Sequence, residues 1–224
     1  MSTEKFSSTI SRRKSNFKGS ILRWFEKEGR ALPWRRSNNP FHILIAEMFL
    51  RRTTAAAVSK VYPDFIILYP TPKHVAKARL SSLEKILKPL GLQRIRAQQL
   101  RNTARMILKD YGGQIPREYE SVLSLPGIGR YIANAALNFA FNQPRSMVDG
   151  NIVHLLNRVF SSDFKDMSDE HVWELMEFLG SPIHERNLYW GIMDIVAGIC
   201  LKKKPRCELC PLSSICDYAA EKAL

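Results

Sequence analysis

Apolar residues recur at helical spacing through ten short segments of this chain, and a proline stands at the edge of most of them. The segments run over 17–28, 41–52, 54–69, 81–89, 94–111, 117–123, 130–141, 150–160, 168–179 and 184–200. Pro33, Pro40, Pro70, Pro72, Pro116, Pro126, Pro144 and Pro182 punctuate them, because proline lacks an amide hydrogen and cannot continue a helix cheaply. No alternating stretch of useful length suggests a strand, and no repeat is evident. The pattern predicts an all-α fold of many short helices. Pro63 and Pro89 fall inside or at the end of apolar runs, which predicts a kink or break there. Ser81 followed by Glu84 has the spacing of a capping box. Connections are short, so two lobes would share an interface, and the cleft between them would be the expected place for chemistry.

Charge narrows the function. The 224 residues carry a formal net charge of +13, and it is unevenly spread. Residues 1–50 contribute +6, residues 51–109 contribute +11, and residues 110–224 contribute −4. Segregation of this kind suits a polyanion-binding face better than general solubility. Nucleic acid leads over an acidic membrane, since no long helix pairs a basic face with a greasy one. No run of about 18 apolar residues is present to span a bilayer. Residues 1–20 are Ser-rich and basic but lack the apolar centre of a secretory signal, so they read as a basic arm.

All four cysteines, Cys200, Cys207, Cys210 and Cys216, lie within the last 25 residues. A disulfide framework would scatter them through the fold. Four clustered thiols point to a soft-metal site instead, and the spacing alone permits iron–sulfur or zinc. Lys202, Lys203, Lys204 and Arg206 form a basic loop between the first two.

Ser121 to Leu137 reads as helix, tight turn, helix, with Leu125-Pro-Gly-Ile-Gly-Arg130 at the turn. Gly127 and Gly129 would allow backbone shapes and close approaches that a Cβ blocks. Amides at the start of the second helix would make an anion site suited to a DNA phosphate. This string resembles the hairpin of the helix-hairpin-helix (HhH-GPD) DNA glycosylases, the endonuclease III and MutY-like superfamily. The resemblance extends over roughly residues 20–218, with the motifs in the family's order. It implies a two-lobed fold, with a six-helix barrel over residues 36–144 and an iron–sulfur cluster domain formed by residues 1–35 and 145–224. The cysteine spacing, after Met193-Asp194-Ile-Val-Ala-Gly-Ile-Cys200, is the family's signature for a structural [4Fe-4S] cluster. Leu125, Gly127, Gly129, Arg130 and Lys203 are the implied DNA contacts.

Two carboxylates occupy contrasting settings. Asp149, in Asp-Gly-Asn151, is placed for the first turn of a helix, where free amides and the helix dipole favour the ionised form. Glu47 shares a helical face with Ile43, Leu44 and Leu50, and apolar neighbours tend to hold a carboxyl protonated. The resemblance makes both catalytic. Glu47 would send a proton towards the departing base, and Asp149 would stabilise the cationic sugar. It also makes Asn151 a pocket residue. Tyr131, counted with the catalytic group, stands where strand-cleaving relatives carry a lysine that forms a Schiff base. A monofunctional enzyme, without strong lyase activity, follows.

Arg51-Arg52-Thr53-Thr54 looks like the wedge region of thymine mismatch glycosylases, with Arg52 filling the gap left by the flipped nucleotide. Adenine glycosylases tend to carry Gln-Gln-Thr there, and MutY has a further C-terminal domain beyond the cluster. The expected activity is removal of thymine or uracil opposite guanine; the alternative is an adenine glycosylase lacking that domain. Trp190 could line the pocket or pack in the core, and His154 replaces the family's usual Arg or Lys. The expected partner is double-stranded DNA bearing a mismatched or damaged base, bound by a monomer with no membrane involved. In a prokaryote the location would be cytoplasmic and nucleoid-associated.

Overall fold

A computed structural model describes residues 8–222. The helices are α1 (Ser8–Glu28), α2 (Pro40–Leu50), α3 (Ala55–Leu68), α4 (Pro72–Lys77), α5 (Leu80–Leu87), α6 (Gln93–Tyr111), α7 (Tyr119–Leu123), α8 (Arg130–Phe141), α9 (Gly150–Val159), α10 (Glu170–Gly180), α11 (Arg186–Gly198) and α12 (Asp217–Lys222). No strand occurs among the described residues, and none of their helices is long and apolar enough to cross a membrane.

Side-chain oxygens start several helices by accepting first-turn amides: Asn39 for α2, Thr54 for α3, Asp149 for α9 and Asp169 for α10. Each satisfies a donor that the helix itself cannot. Ser81 does not; it lies inside α5, whose first flanking residue is Arg79 with no side-chain cap. Pro63 is accommodated inside α3 without ending it, whereas Pro89 sits in a 3-10 turn that closes α5. The six-residue helices α4 and α12 were too short to register as a period.

The N-terminal segment corrects the expectation of a loose arm over residues 8–20. Helix α1 begins at Ser8, buries Phe17 and Ile21, and packs along α11. Arg13 anchors it, with Nη1 donating to the Asp217 carboxylate at 2.6 Å and to the Val159 and Ile215 carbonyls. The rest of that arm, residues 1–7, lies outside the described residues.

The chain divides into two compact units, residues 31–143 and residues 1–30 with 144–224. In the first, α2 packs on α8, and α4 and α5 on α6. Leu44, Phe49, Val58, Phe65, Leu83, Ile107 and Leu137 form its centre. Helix α2 is apolar nearly all round and almost wholly buried, as a central helix must be. In the second, α1 packs on α10 and α11, and α9 on α11 and α12. Asp194, on α11 and 3% exposed, receives Arg30 through the backbone amide at 2.8 Å, Nε at 2.7 Å and Nη2 at 2.7 Å.

Candidate functional site

Within residues 31–143, the hairpin between α7 and α8 is held by its carbonyls. Ile128 N–H donates to Leu125 O at 3.1 Å, Thr103 Oγ1 to Pro126 O at 2.6 Å, and Arg51 Nη1 to Gly127 O at 2.9 Å. Gly127 has φ +78°, and a Cβ there would meet the Gln99 side chain at 3.0 Å. The positive φ favours glycine, and a larger side chain would also have to displace the Gln99 side chain. Gly129 is different, because its φ of −111° suits any residue and a Cβ would meet nothing within 4 Å. The expected intrinsic need for glycine at position 129 is therefore absent. Leu125 is also not a surface contact, since its side chain is 1% exposed and belongs to the core beneath the turn. Gly129 and Arg130 are exposed at the start of α8, which has no side-chain cap.

Arg96, on α6, is buried, and all three of its guanidinium nitrogens donate to backbone carbonyls. Nε reaches Gly91 O at 2.9 Å, Nη1 reaches Met48 O at 3.1 Å and Phe49 O at 3.2 Å, and Nη2 reaches Arg51 O at 2.5 Å. It closes the C-terminal end of α2, where unpaired carbonyls favour a cation. Burial, then the Arg51 charge, lowers its pKa. Arg96 is thus internal, whereas Arg52 is exposed and held at φ +50°, a strained conformation for a side chain of this size. One turn back along α2, Glu47 is 4% exposed between Ala46 and Met48. Tyr131, in the first turn of α8, is half-buried against the same core.

In the second unit, Asp149 is the N-cap of α9. Its Oδ1 accepts from the Asn151 and Ile152 amides, both at 2.9 Å, and Oδ2 accepts from Asn151 Nδ2 at 3.0 Å. These bonds favour the anion, as the sequence suggested, but desolvation outweighs them and holds the carboxyl above its ordinary value. Asn151 Nδ2 also lies 3.6 Å from Met193 Sδ, which brings a side chain of α11 to this site. Trp190, also on α11, lies against Phe25 with ring centroids 6.2 Å apart and under the Arg186 guanidinium at 5.4 Å.

The four cysteines line one cavity with Arg158, Leu155, Ile199 and Pro205. Burial first, then the other three cysteines, pushes the Cys210 thiol up to about 11. Arg158 Nη1 approaches Cys200 Sγ at 3.4 Å and donates to Leu201 O at 2.8 Å, and Nη2 donates to Lys202 O at 2.9 Å. His154 Nε2 lies 2.9 Å from Cys200 O. Lys203 is exposed on this loop. Among the described residues, no group of three His, Cys, Asp or Glu side chains is disposed to hold a single metal ion. The donor set is nonetheless what a cluster of soft metals requires: four sulfurs on a shared cavity and an adjacent cation.

The partners of Met193, Arg158 and Arg96 are not legible in the sequence. Each acts on a partner more than 40 positions away, and no local spacing announces such a contact.

Comparison with known proteins was consistent across the chain. Residues 45–178 match the HhH-GPD superfamily of base excision DNA repair proteins. A thymine/uracil-DNA glycosylase of Methanothermobacter thermautotrophicus is 39% identical over 206 residues, covering 90% of this chain and 92% of that protein. An adenine DNA glycosylase of Buchnera aphidicola is 33% identical over 202 residues, covering 89% of this chain but 57% of its own length. The structure of a thermostable thymine-DNA glycosylase superposes with a TM-score of 0.90 at 36% identity, covering 96% of this chain and all of that one.

Proposed function

The chain belongs to the HhH-GPD superfamily of base excision DNA repair proteins, and we propose that it is a monofunctional DNA N-glycosylase removing thymine or uracil opposite guanine. The observation that carries this reading is the 39% identity spanning nine-tenths of both chains with a thymine/uracil-DNA glycosylase. Duplex DNA bearing the mismatch is the partner, held at the phosphates by the first turn of α8, Arg130 and Lys203. The mispaired base is the one least costly to unstack, and Arg52, already exposed in a strained conformation, fills the space it leaves.

The chemistry follows from two carboxyls in unlike settings. Glu47, 4% exposed, supplies the proton that accompanies the departing base. Asp149 faces the sugar as C1′ becomes cationic, and its charge stabilises that centre until water adds to C1′. The bond lost is the N-glycosidic bond, and the products are the free base and an abasic site. Tyr131 offers no amine to C1′, so the strand stays intact. Labelled duplexes carrying T·G, U·G, A·G and A·8-oxoguanine, incubated with the protein and analysed with and without alkali, test this. Alkali-dependent breaks fastest at T·G or U·G are expected; preference for adenine, or breaks without alkali, would refute it.

Cys200, Cys207, Cys210 and Cys216 would hold a [4Fe-4S] cluster, which supplies rigidity to the Lys202–Lys204 loop. Four thiolates suit an iron–sulfur cluster or zinc alike, and the spacing of the four cysteines is what favours the cluster. Anaerobic metal analysis should find about four irons per chain; zinc without iron would contradict it.

A further inference from the structure

Arg52 and Leu92 are both exposed, and both stand on left-handed backbone, at φ +50° and +51°. Each directly follows a carbonyl that the Arg96 guanidinium holds: Nη2 donates to Arg51 O at 2.5 Å, and Nε donates to Gly91 O at 2.9 Å. A carbonyl oxygen shares its peptide plane with the next Cα. Holding Arg51 O and Gly91 O therefore fixes where the chain enters Arg52 and Leu92. Through Nη1 the same guanidinium takes Met48 O at 3.1 Å and Phe49 O at 3.2 Å, which ties both turns to the end of α2. Left-handed backbone is disfavoured for a side chain such as arginine, so the Arg52 turn persists only while such bonds hold it.

A second strut reaches the hairpin. Arg51, whose carbonyl Arg96 holds, extends its own Nη1 to Gly127 O at 2.9 Å and to Gln99 Oε1 at 3.3 Å. Thr103 Oγ1 lies 2.9 Å from Gln99 O and donates to Pro126 O at 2.6 Å. Arg96, Gln99 and Thr103 recur at helical spacing along one face of α6. Helix α6 thus carries the Arg52 turn on its first turn and the hairpin on the next two. Arg96 itself is 7% exposed, so it reaches no phosphate; its effect on DNA must pass through the residues it holds.

We propose that Arg96 is a positioning residue for Arg52. Its guanidinium holds the Arg51–Arg52 peptide plane, and Arg51 braces that plane against the hairpin, so the side chain that fills the vacated space is set in place before the base leaves. The inference rests on the reading of Arg52 as that side chain. A side chain already ordered loses little freedom when it enters the duplex. Without Arg96 the turn relaxes, and ordering it again adds to the cost of unstacking the base.

The test uses the full-length holoprotein and its R96K, R52A and R52A/R96K variants. Lysine keeps the buried charge but lacks the planar fork that serves several carbonyls at once. Flipping is read from 2-aminopurine placed beside a non-cleavable 2′-fluoro thymidine opposite guanine, since the probe brightens when its neighbour leaves the stack. Base release is read as the single-turnover rate from a T·G duplex at saturating protein. R96K should release base about tenfold more slowly than wild type and lose most of the brightening, because a small misplacement away from the chemistry is enough. Its affinity for a matched duplex should stay within about twofold of wild type at every salt concentration, since Arg96 displaces no ion. R52A should be at least as slow as R96K, and the double variant no slower than R52A, because Arg96 then has nothing left to position. A merely structural loss would add, placing the double variant about tenfold below R52A. That result, or wild-type release and brightening in R96K, would overturn the proposal. If R96K fails to fold, R51M takes its place in the same cycle with the same two outcomes, because Arg51 is exposed and its loss removes only the strut to Gly127 and Gln99. R52A at the wild-type rate would refute the reading of Arg52, and the proposal with it. If wild type released no base at all, the glycosylase reading would fail, and the 2-aminopurine signal of these variants would still decide the positioning.

Discussion

Asp149→Asn is expected to slow single-turnover base release from a T·G duplex by about a thousand-fold, within the range for removal of a charged group acting on the reacting centre. The fold should survive, because asparagine caps helices about as well as aspartate and can keep accepting the Asn151 and Ile152 amides. Stability should change in the opposite direction to activity. The Asp149 carboxyl is held above its ordinary 3.8 by desolvation, so the folded state binds that proton more tightly than the unfolded chain. Stability is therefore lost as pH rises from about 4 through the raised folded value. The asparagine variant has no such proton to lose. Thermal melts at pH 7.5 should place it level with or above wild type, while the rate collapses. A variant that melts well below wild type would mean that the carboxylate serves the fold rather than the reaction.

The second large effect is structural. Arg30→Ala should destabilise the protein by about 3 kcal/mol, at the lower end for breaking a buried pair from one side. The Asp194 side chain is 1% exposed, while that of Arg30 is 38% exposed, so part of the attraction is already screened. The cost comes mainly from the buried Asp194 carboxylate losing both guanidinium bonds of 2.7 Å while it keeps, from residue 30, only the backbone amide. In a chain of this size the melting temperature should fall by about 10 °C. Arg30→Lys should recover only part of it, since an ammonium cannot present two parallel donors. Calorimetry of the three proteins checks both statements; an alanine variant within about 1 °C of wild type would show that Asp194 finds other compensation.

Much of the site was legible because it is written locally. The Asp149 cap needs only residues 149–152, and the preference for glycine at Gly127 follows from its own φ. The cysteines lie close in sequence, so their shared cavity follows from a short loop. Hairpin and carboxylate motifs therefore led to the right family before any coordinate. What stayed hidden depends on distant partners. Arg96 is one basic residue among several in α6, and nothing near it in the sequence marks that its acceptors lie on α2 and at Gly91. Trp190 could not be placed until Phe25, 165 positions earlier, was seen against it. Gly129 shows the opposite error: a motif glycine whose need is not met within this chain's own geometry.

The fate of Arg96 alters how the chain's charge should be counted. DNA affinity falls with salt according to the number of ions displaced from the phosphates, about 0.9 in slope for each contact. A guanidinium whose three nitrogens all serve internal carbonyls displaces none of them. Arg30 and Arg158 are engaged with acceptors inside the chain as well. A salt titration would thus count fewer cations than the formal +13 implies, and the shortfall measures how much of the basic composition is mortar rather than magnet.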